Sequence, residues 1–250
     1  MGGHSHWSQI KRQKGDADVK RGSLFTRLAR EIVVAAREGG GDPGMNPRLR
    51  LAIEKGREAN MPLDTIKRGV ERGVGGSEGF DLQEITFEGY GPGGVAIIVQ
   101  TVTDNRNRTV SGLRTALNRG GGNLGESGSV AWQFESKGLI ALEVGNGDPE
   151  EVALAAIDAG ADDVRVEGDL VEVYTPAAEL DEVRRQLQAA SLTIASAELS
   201  QLPKTMVALD EQTAVQALRL LDQIMELDDV QKVYSNADFP DAVLMEYAAR

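Results

Sequence analysis

Three observations on the 250-residue chain predict an α+β protein built from three parts. Up to a glycine cluster at 73–76 the apolar residues recur with a helical period, and beyond it they form β-branched runs. Charge switches at the same place: residues 1–76 carry fifteen Lys/Arg against nine Asp/Glu, a net +6, while the remainder carries twelve against thirty, a net −18. Finally, residues 138–203 read strand, helix, strand, strand, helix, strand, which is the βαββαβ order of a ferredoxin-like domain. The predicted domains are a basic three-helix domain with an N-terminal arm (1–76), a discontinuous α/β domain (77–137 and 204–250), and the ferredoxin-like domain inserted into it (138–203).

Residues 1–22 hold few apolar anchors beyond Trp7 and Ile10 and read as an arm that orders on binding. Ser23 is a candidate N-cap for LFTRLAREIVVAARE, whose Leu24, Leu28, Ile32 and Ala35 form an apolar stripe that stops at Gly39–Gly41. Arg27, Arg30 and Arg37 fall opposite that stripe and make a basic ridge. Val33 and Val34 interrupt the pattern, so other helices are expected to cover part of that side. A second helix starts at Asn46-Pro47, with Asn as cap and Pro in the first turn, and a third starts near Pro62 and ends at 73–76.

Beyond the linker, EITFEGY and VAIIVQTV read as strands joined by GPGG, followed by a helix from Asn107 to Asn118 and a strand at SVAWQF. The tail adds MVAL as a strand, EQTAVQALRLLDQIMEL as a helix and VQKVYSN as a strand. These are expected to complete the sheet begun near residue 84.

Composition excludes several chemistries. There is no cysteine, hence no disulfide, thiolate nucleophile or thiolate metal site. No run approaches the roughly 18 apolar residues of a membrane span, and the N-terminus lacks a secretory apolar stretch, so a cytosolic protein with no membrane partner is expected. GYGPGG matches G-x-G-x-x-G at Gly89, Gly91 and Gly94, yet a strand follows where a dinucleotide site needs a helix, which leaves a glycine turn between strands. GGSEG at 75–79 matches G-x-S-x-G, but the only histidines, His4 and His6, precede it, whereas a hydrolase triad needs one after the nucleophile. Acidic pairs such as Asp162/Asp163 and Asp228/Asp229 lack calcium-loop spacing and read as solvated loops. If Met1 is removed, Gly2-Gly3-His4 has the nitrogen donors for square-planar Cu(II) or Ni(II), although contact with phosphate is the simpler use of His4. With no convergent nucleophile, base or metal set, no enzyme and no cofactor are expected.

The anion partner implied by the basic segment is nucleic acid. Lys11, Arg12, Lys14, Lys20, Arg21, Arg27, Arg30 and Arg37 offer phosphate contacts, and Trp7 offers a stacking surface, with His4 and His6 beside it. In TDNRNRT, Arg106 and Arg108 lie at the first turn of a helix, where they either meet an anion or form internal ion pairs.

GHSHW, KRGSLFTRLAREI, GGGDPGMNPRLR, ANMP, YGPGG, TDNRNRT and the GGN of 121–123 together resemble the YebC/PmpR family, in register over essentially the whole chain. The resemblance implies a helical N-terminal domain, an α/β middle domain and a ferredoxin-like insertion. It also implies a regulator: bacterial members are described as DNA-binding transcriptional regulators and linked to ribosomes stalled on proline-rich sequence, and mitochondrial members as translational activators. The chain departs from the family pattern where Lys usually stands, at His6 and near Ser23 and Leu63, and each departure removes a cation. At His6 the contact becomes pH-dependent, since imidazole charges near a pKa of about 6.5.

The expected function is therefore a ribosome-associated translation factor that contacts rRNA through the basic domain, because an acidic body is repelled by bare DNA but tolerated beside basic ribosomal proteins. A DNA-binding transcriptional regulator is the second reading, and a ligand-sensing or protein-docking module the third. A monomer is favoured.

Overall fold

The computed structural model describes residues 21–75, 82–145, 147–167 and 170–248. Among these residues the chain divides into two compact units, one formed by the residues up to Gln133 together with those from Pro203 onward, the other by Phe134–Leu202.

The first unit begins with α1 (Arg21–Gly39), α2 (Pro47–Glu58) and α3 (Leu63–Val74). Leu28, Ile32 and Ala35 of α1 meet Leu49 and Ala52 of α2, Met61, and Ile66 of α3 in one apolar cluster. Asn46 caps α2 as expected, its side chain accepting from the Leu49 N–H at 3.1 Å, and its amide also donates to the Ala35 carbonyl of α1 at 2.8 Å. Ser23 lies inside α1 and is not its N-cap; a serine costs little within a helix, so its cap preference yields to the longer helix. Nor do helices cover Val33 and Val34: they pack against Leu82 and Val102 of the following α/β part. Thus α1 is shared between two cores.

Strands β1 (Gln83–Tyr90) and β2 (Ala96–Thr103) form an antiparallel hairpin, Gly89 opposite Ile97. Its turn carries Gly93 and Gly94 at φ 73° and 77°, the left-handed region that glycine enters without steric cost. GYGPGG is accordingly a hairpin closure. Helix α4 (Arg106–Arg119) follows, capped by Asn105, then the short β3 (Asn123–Leu124). From the tail, α7 (Glu211–Met225) packs Leu218, Leu221 and Ile224 with Ile97, Val99, Leu113 and Leu117, and β9 (Val230–Ser235) pairs antiparallel with β2. The sheet order is β3-β1-β2-β9, so the tail does complete the sheet begun near residue 84. The MVAL strand does not join it. Only β8 (Val207–Ala208) forms there, in a separate parallel pair with β10 (Ala237–Asp238), and a further helix α8 (Asp241–Ala248) ends the described chain.

SVAWQF is not a strand either. Ala131–Gln133 form a 3-10 turn and β4 (Phe134–Glu143) starts only at Phe134. The buried Glu88 carboxylate accepts from the N–H groups of Gly128, Val130 and Ala131, all at 2.7 Å, so these donors are committed to a side chain before any ladder can use them.

The second unit runs β4, α5 (Pro149–Asp158), β5 (Asp163–Glu167), β6 (Leu170–Pro176), α6 (Leu180–Ala189) and β7 (Thr193–Pro203). Its sheet order, β5-β6-β4-β7, places the third strand of the βαββαβ series between the first two, which is the split arrangement of a ferredoxin-like domain. Ile140, Leu142, Val171 and Val173 of the sheet bury against Val152 and Ala156 of α5 and Leu187 of α6.

Close packing of α3 on α1 depends on Gly73, where a Cβ would sit 2.5 Å from the Val33 carbonyl oxygen and 2.6 Å from the Ala36 Cβ. Gly73→Ala is expected to destabilise by about 1–3 kcal/mol through overpacking. By contrast, Gly112→Ala in α4 meets Leu227 at an ordinary 3.6 Å and is expected to stabilise by up to about 1 kcal/mol. Chemical denaturation of the two variants checks both signs.

Candidate nucleic-acid interface

The guanidinium groups of Arg27, Arg30 and Arg37 on α1 point at carbonyl oxygens within the same unit. Arg27 donates to the Met225 carbonyl, the last of α7, where a helix leaves its C=O groups without partners. Burial lowers the Arg27 pKa, partly offset by Asp228. Arg30 donates 2.6 Å to the Asp228 carbonyl and 3.1 Å to the Asp229 carboxylate, and Arg37 donates to the Leu82 carbonyl. The predicted ridge therefore meets the α/β part of its own chain, with Arg37 still exposed.

Arg108 behaves likewise. It binds the two carboxylate oxygens of Asp229 at 3.1 and 2.7 Å and reaches Asp104 at 2.8 Å, which raises its pKa. The Thr109 hydroxyl donates to Asp229 at 2.8 Å. The anion beside the first turn of α4 is thus an internal one. Asp229 was expected in a solvated loop, but it is only 6% exposed. Burial alone would raise its pKa; the hydrogen bonds from Arg108 and Thr109 and the charges of Arg108 and Arg30 outweigh this and leave it below the ordinary carboxylate value. No sequence spacing announces this pairing, because Arg30, Arg108 and Asp229 lie far apart in the chain.

Arg106, at the start of α4, is exposed. His4, His6, Trp7, Lys11, Arg12, Lys14 and Lys20 lie outside the described residues, as does the side chain of Arg21, and so does the Gly2-Gly3-His4 metal motif. Among the described residues no cluster of three metal-ligating side chains occurs, and no helix is long and apolar enough to cross a membrane.

Among the described residues of the helical layer, four exposed cations are absent from the predicted set: Arg57 at the end of α2, and Lys67, Arg68 and Arg72 on α3. On α3 they lie opposite Ile66, Gly69 and Gly73, which are buried. Part of that pattern is legible in the sequence, since 68 and 72 lie four residues apart on one helical face. Arg48, nearby, is instead held by Glu38 at 2.5 Å and by Glu84.

Residues 5–76 match the model of the TACO1/YebC protein N-terminal domain, and residues 82–237 that of the TACO1/YebC second and third domain. The chain belongs to the TACO1/YebC family. Among its YebC relatives, a probable transcriptional regulatory protein of Dehalococcoides mccartyi is 52% identical over 99% of this chain and 98% of its own. One of the same description from Herpetosiphon aurantiacus is 53% identical over 99% of both chains. The crystal structure of a conserved hypothetical protein from Aquifex aeolicus matches with a TM-score of 0.84 at 44% identity, covering 89% of this chain and 92% of that one.

The Asp229 cluster has a defined pH signature. Its carboxyl is more acidic folded than in the unfolded chain, where the pKa is about 3.9, so the stabilisation is complete above that value and is lost as pH falls through the lowered folded pKa. Asp229→Asn is expected to cost about 3 kcal/mol at neutral pH, the low end for a buried pair because Arg108 is half exposed. Urea titrations at about pH 7 and about pH 3 should show the gap between wild type and variant narrowing in acid.

Proposed function

We propose that this YebC-family chain is a non-enzymatic, nucleic-acid-binding regulator of gene expression that associates with the ribosome and contacts rRNA through its basic N-terminal part. The observation that carries this reading is the segregation of charge, +6 over residues 1–76 against −18 over the rest. Cations on an exposed face give salt-sensitive affinity for phosphate, and an acidic body disfavours lying along a bare duplex. Structured RNA interleaved with basic protein meets both conditions. Arg27 and Arg30 are half-buried and engaged within the chain, so the proposed contacts are those of the N-terminal arm together with the exposed cations Arg57, Lys67, Arg68 and Arg72.

A second reading, a DNA-binding transcriptional regulator, is supported by the names of the relatives from Dehalococcoides and Herpetosiphon. In that case α3 and the arm would grip a duplex, and a dimer with correctly spaced half-sites would be required.

Sedimentation of cell lysate through a sucrose gradient at low and high salt separates these readings. The wild-type chain is expected to co-migrate with ribosomal particles at low salt. A variant with Lys11, Arg12 and Lys14 changed to Ala, and another with Lys67 and Arg68 changed to Ala, are each expected to shift toward free protein. Migration as free protein at both salts, together with salt-sensitive retardation of duplex DNA, would replace the translation reading with the transcription one.

A further inference from the structure

Among the large apolar residues exposed in the described chain, one is aromatic: Trp132, 69% exposed on the loop between β3 and β4. Single exposed aliphatic residues are ordinary. An exposed indole on a loop fixed at several points is not, because the fold forgoes a large burial gain and still holds the ring in place. Below it, the Glu88 carboxylate ties down three backbone N–H groups of the loop, strongly enough to keep its pKa low despite burial. The Tyr90 hydroxyl donates to the Ser129 carbonyl at 3.0 Å, and the Trp132 indole N–H donates to the same oxygen at 3.1 Å. Lys204 closes the far side: its backbone N–H donates to the Gln133 carbonyl at 2.8 Å and its ammonium to the Trp132 carbonyl at 3.0 Å.

We propose that Trp132 is a stacking platform for an unpaired nucleobase, with Lys204 beside it for the adjoining phosphate. This inference rests on the nucleic-acid reading above and adds to it a second contact, in the α/β part. The indole N–H is already bonded within the loop, so what the ring offers a ligand is its π surface; recognition is by stacking and tolerates any base. The Lys204 ammonium has three N–H donors and the Trp132 carbonyl takes one.

The chain has two tryptophans, Trp7 and Trp132, so a Trp7→Phe variant of the full chain makes Trp132 the sole indole emitter. Titrated with a short single-stranded oligoadenylate, that variant is expected to show saturable quenching of Trp132, and to show little with the same strand paired to oligouridylate. In parallel, anisotropy of the labelled oligomer is expected to show Trp132→Ala weakening binding roughly tenfold and Trp132→Tyr retaining most of it. Tyr preserves the ring, so its rescue distinguishes lost stacking from a collapsed loop. Oligomer binding with unchanged Trp132 emission and unchanged affinity in Trp132→Ala overturns the platform and leaves the proposed function standing. Absence of any binding to RNA or DNA overturns both. Quenching by a proline-rich peptide but not by the oligomer overturns the platform by identifying a different occupant.

Discussion

Asp229 is a buried carboxylate on which three parts of the first unit converge. Moving such a group out of water costs several kcal/mol unless its charge is matched and its lone pairs are filled. Here both conditions are met from different elements: Arg30 reaches it from α1, Arg108 and Thr109 from α4, and its own backbone carbonyl accepts from Val102 of β2 at 2.8 Å. The helical layer is therefore joined to the α/β part by a charge that neither can leave unpaired, with Val33, Val34, Leu82 and Val102 supplying a small apolar seam beside it. Arg27 and Arg37 extend the junction along α1 by filling carbonyls at the end of α7 and before β1.

That junction explains which features were legible in the sequence. Periodicity and punctuation are local, and they located α2, α3, α4, the β1–β2 hairpin and the whole βαββαβ series, because Asn46-Pro47, Asn105 and the GPGG turn carry their own chemistry. What failed was decided at long range. Arginines opposite an apolar stripe look solvent-facing from within one helix, yet α1 has a second neighbour made from residues some 70 to 200 positions away. The alternation in SVAWQF looks like a strand until Glu88, distant in sequence, takes the N–H groups that a strand would pair. Asp228 and Asp229 read alike as a dipeptide, but only one of them turns inward.

The same engagement of cations within the chain reshapes the functional reading. Of the described side chains on α1, Arg27 and Arg30 are half-buried, neutralise or cap the chain's own groups and are poorly placed to meet phosphate, whereas Arg37 donates to the Leu82 carbonyl and stays exposed. Beyond Arg37, the exposed cations of the described helical layer lie on α2 and α3, those of α3 on the side away from Gly69 and Gly73, the glycines that let it approach α1. A basic count taken from sequence thus overstates the exposed charge of α1 and misses the exposed cations of α3.

An acidic body constrains how it can touch a polyanion at all. Coulombic attraction is available to the basic layer, but over most of the α/β part the net field opposes a phosphate backbone. Stacking is the contact least affected by that field, since it is short-ranged and acts on the face of an uncharged base. A loop pinned at several points and displaying an indole, with a lysine to offset local repulsion, suits the stacking contact proposed for Trp132. Salt should consequently act unequally on the two contacts: counterion release dominates at the basic layer, whereas the stacked contact loses only the share contributed by Lys204. On the proposed contacts, rising ionic strength is expected to release the basic layer first and to leave the indole a growing fraction of whatever affinity remains.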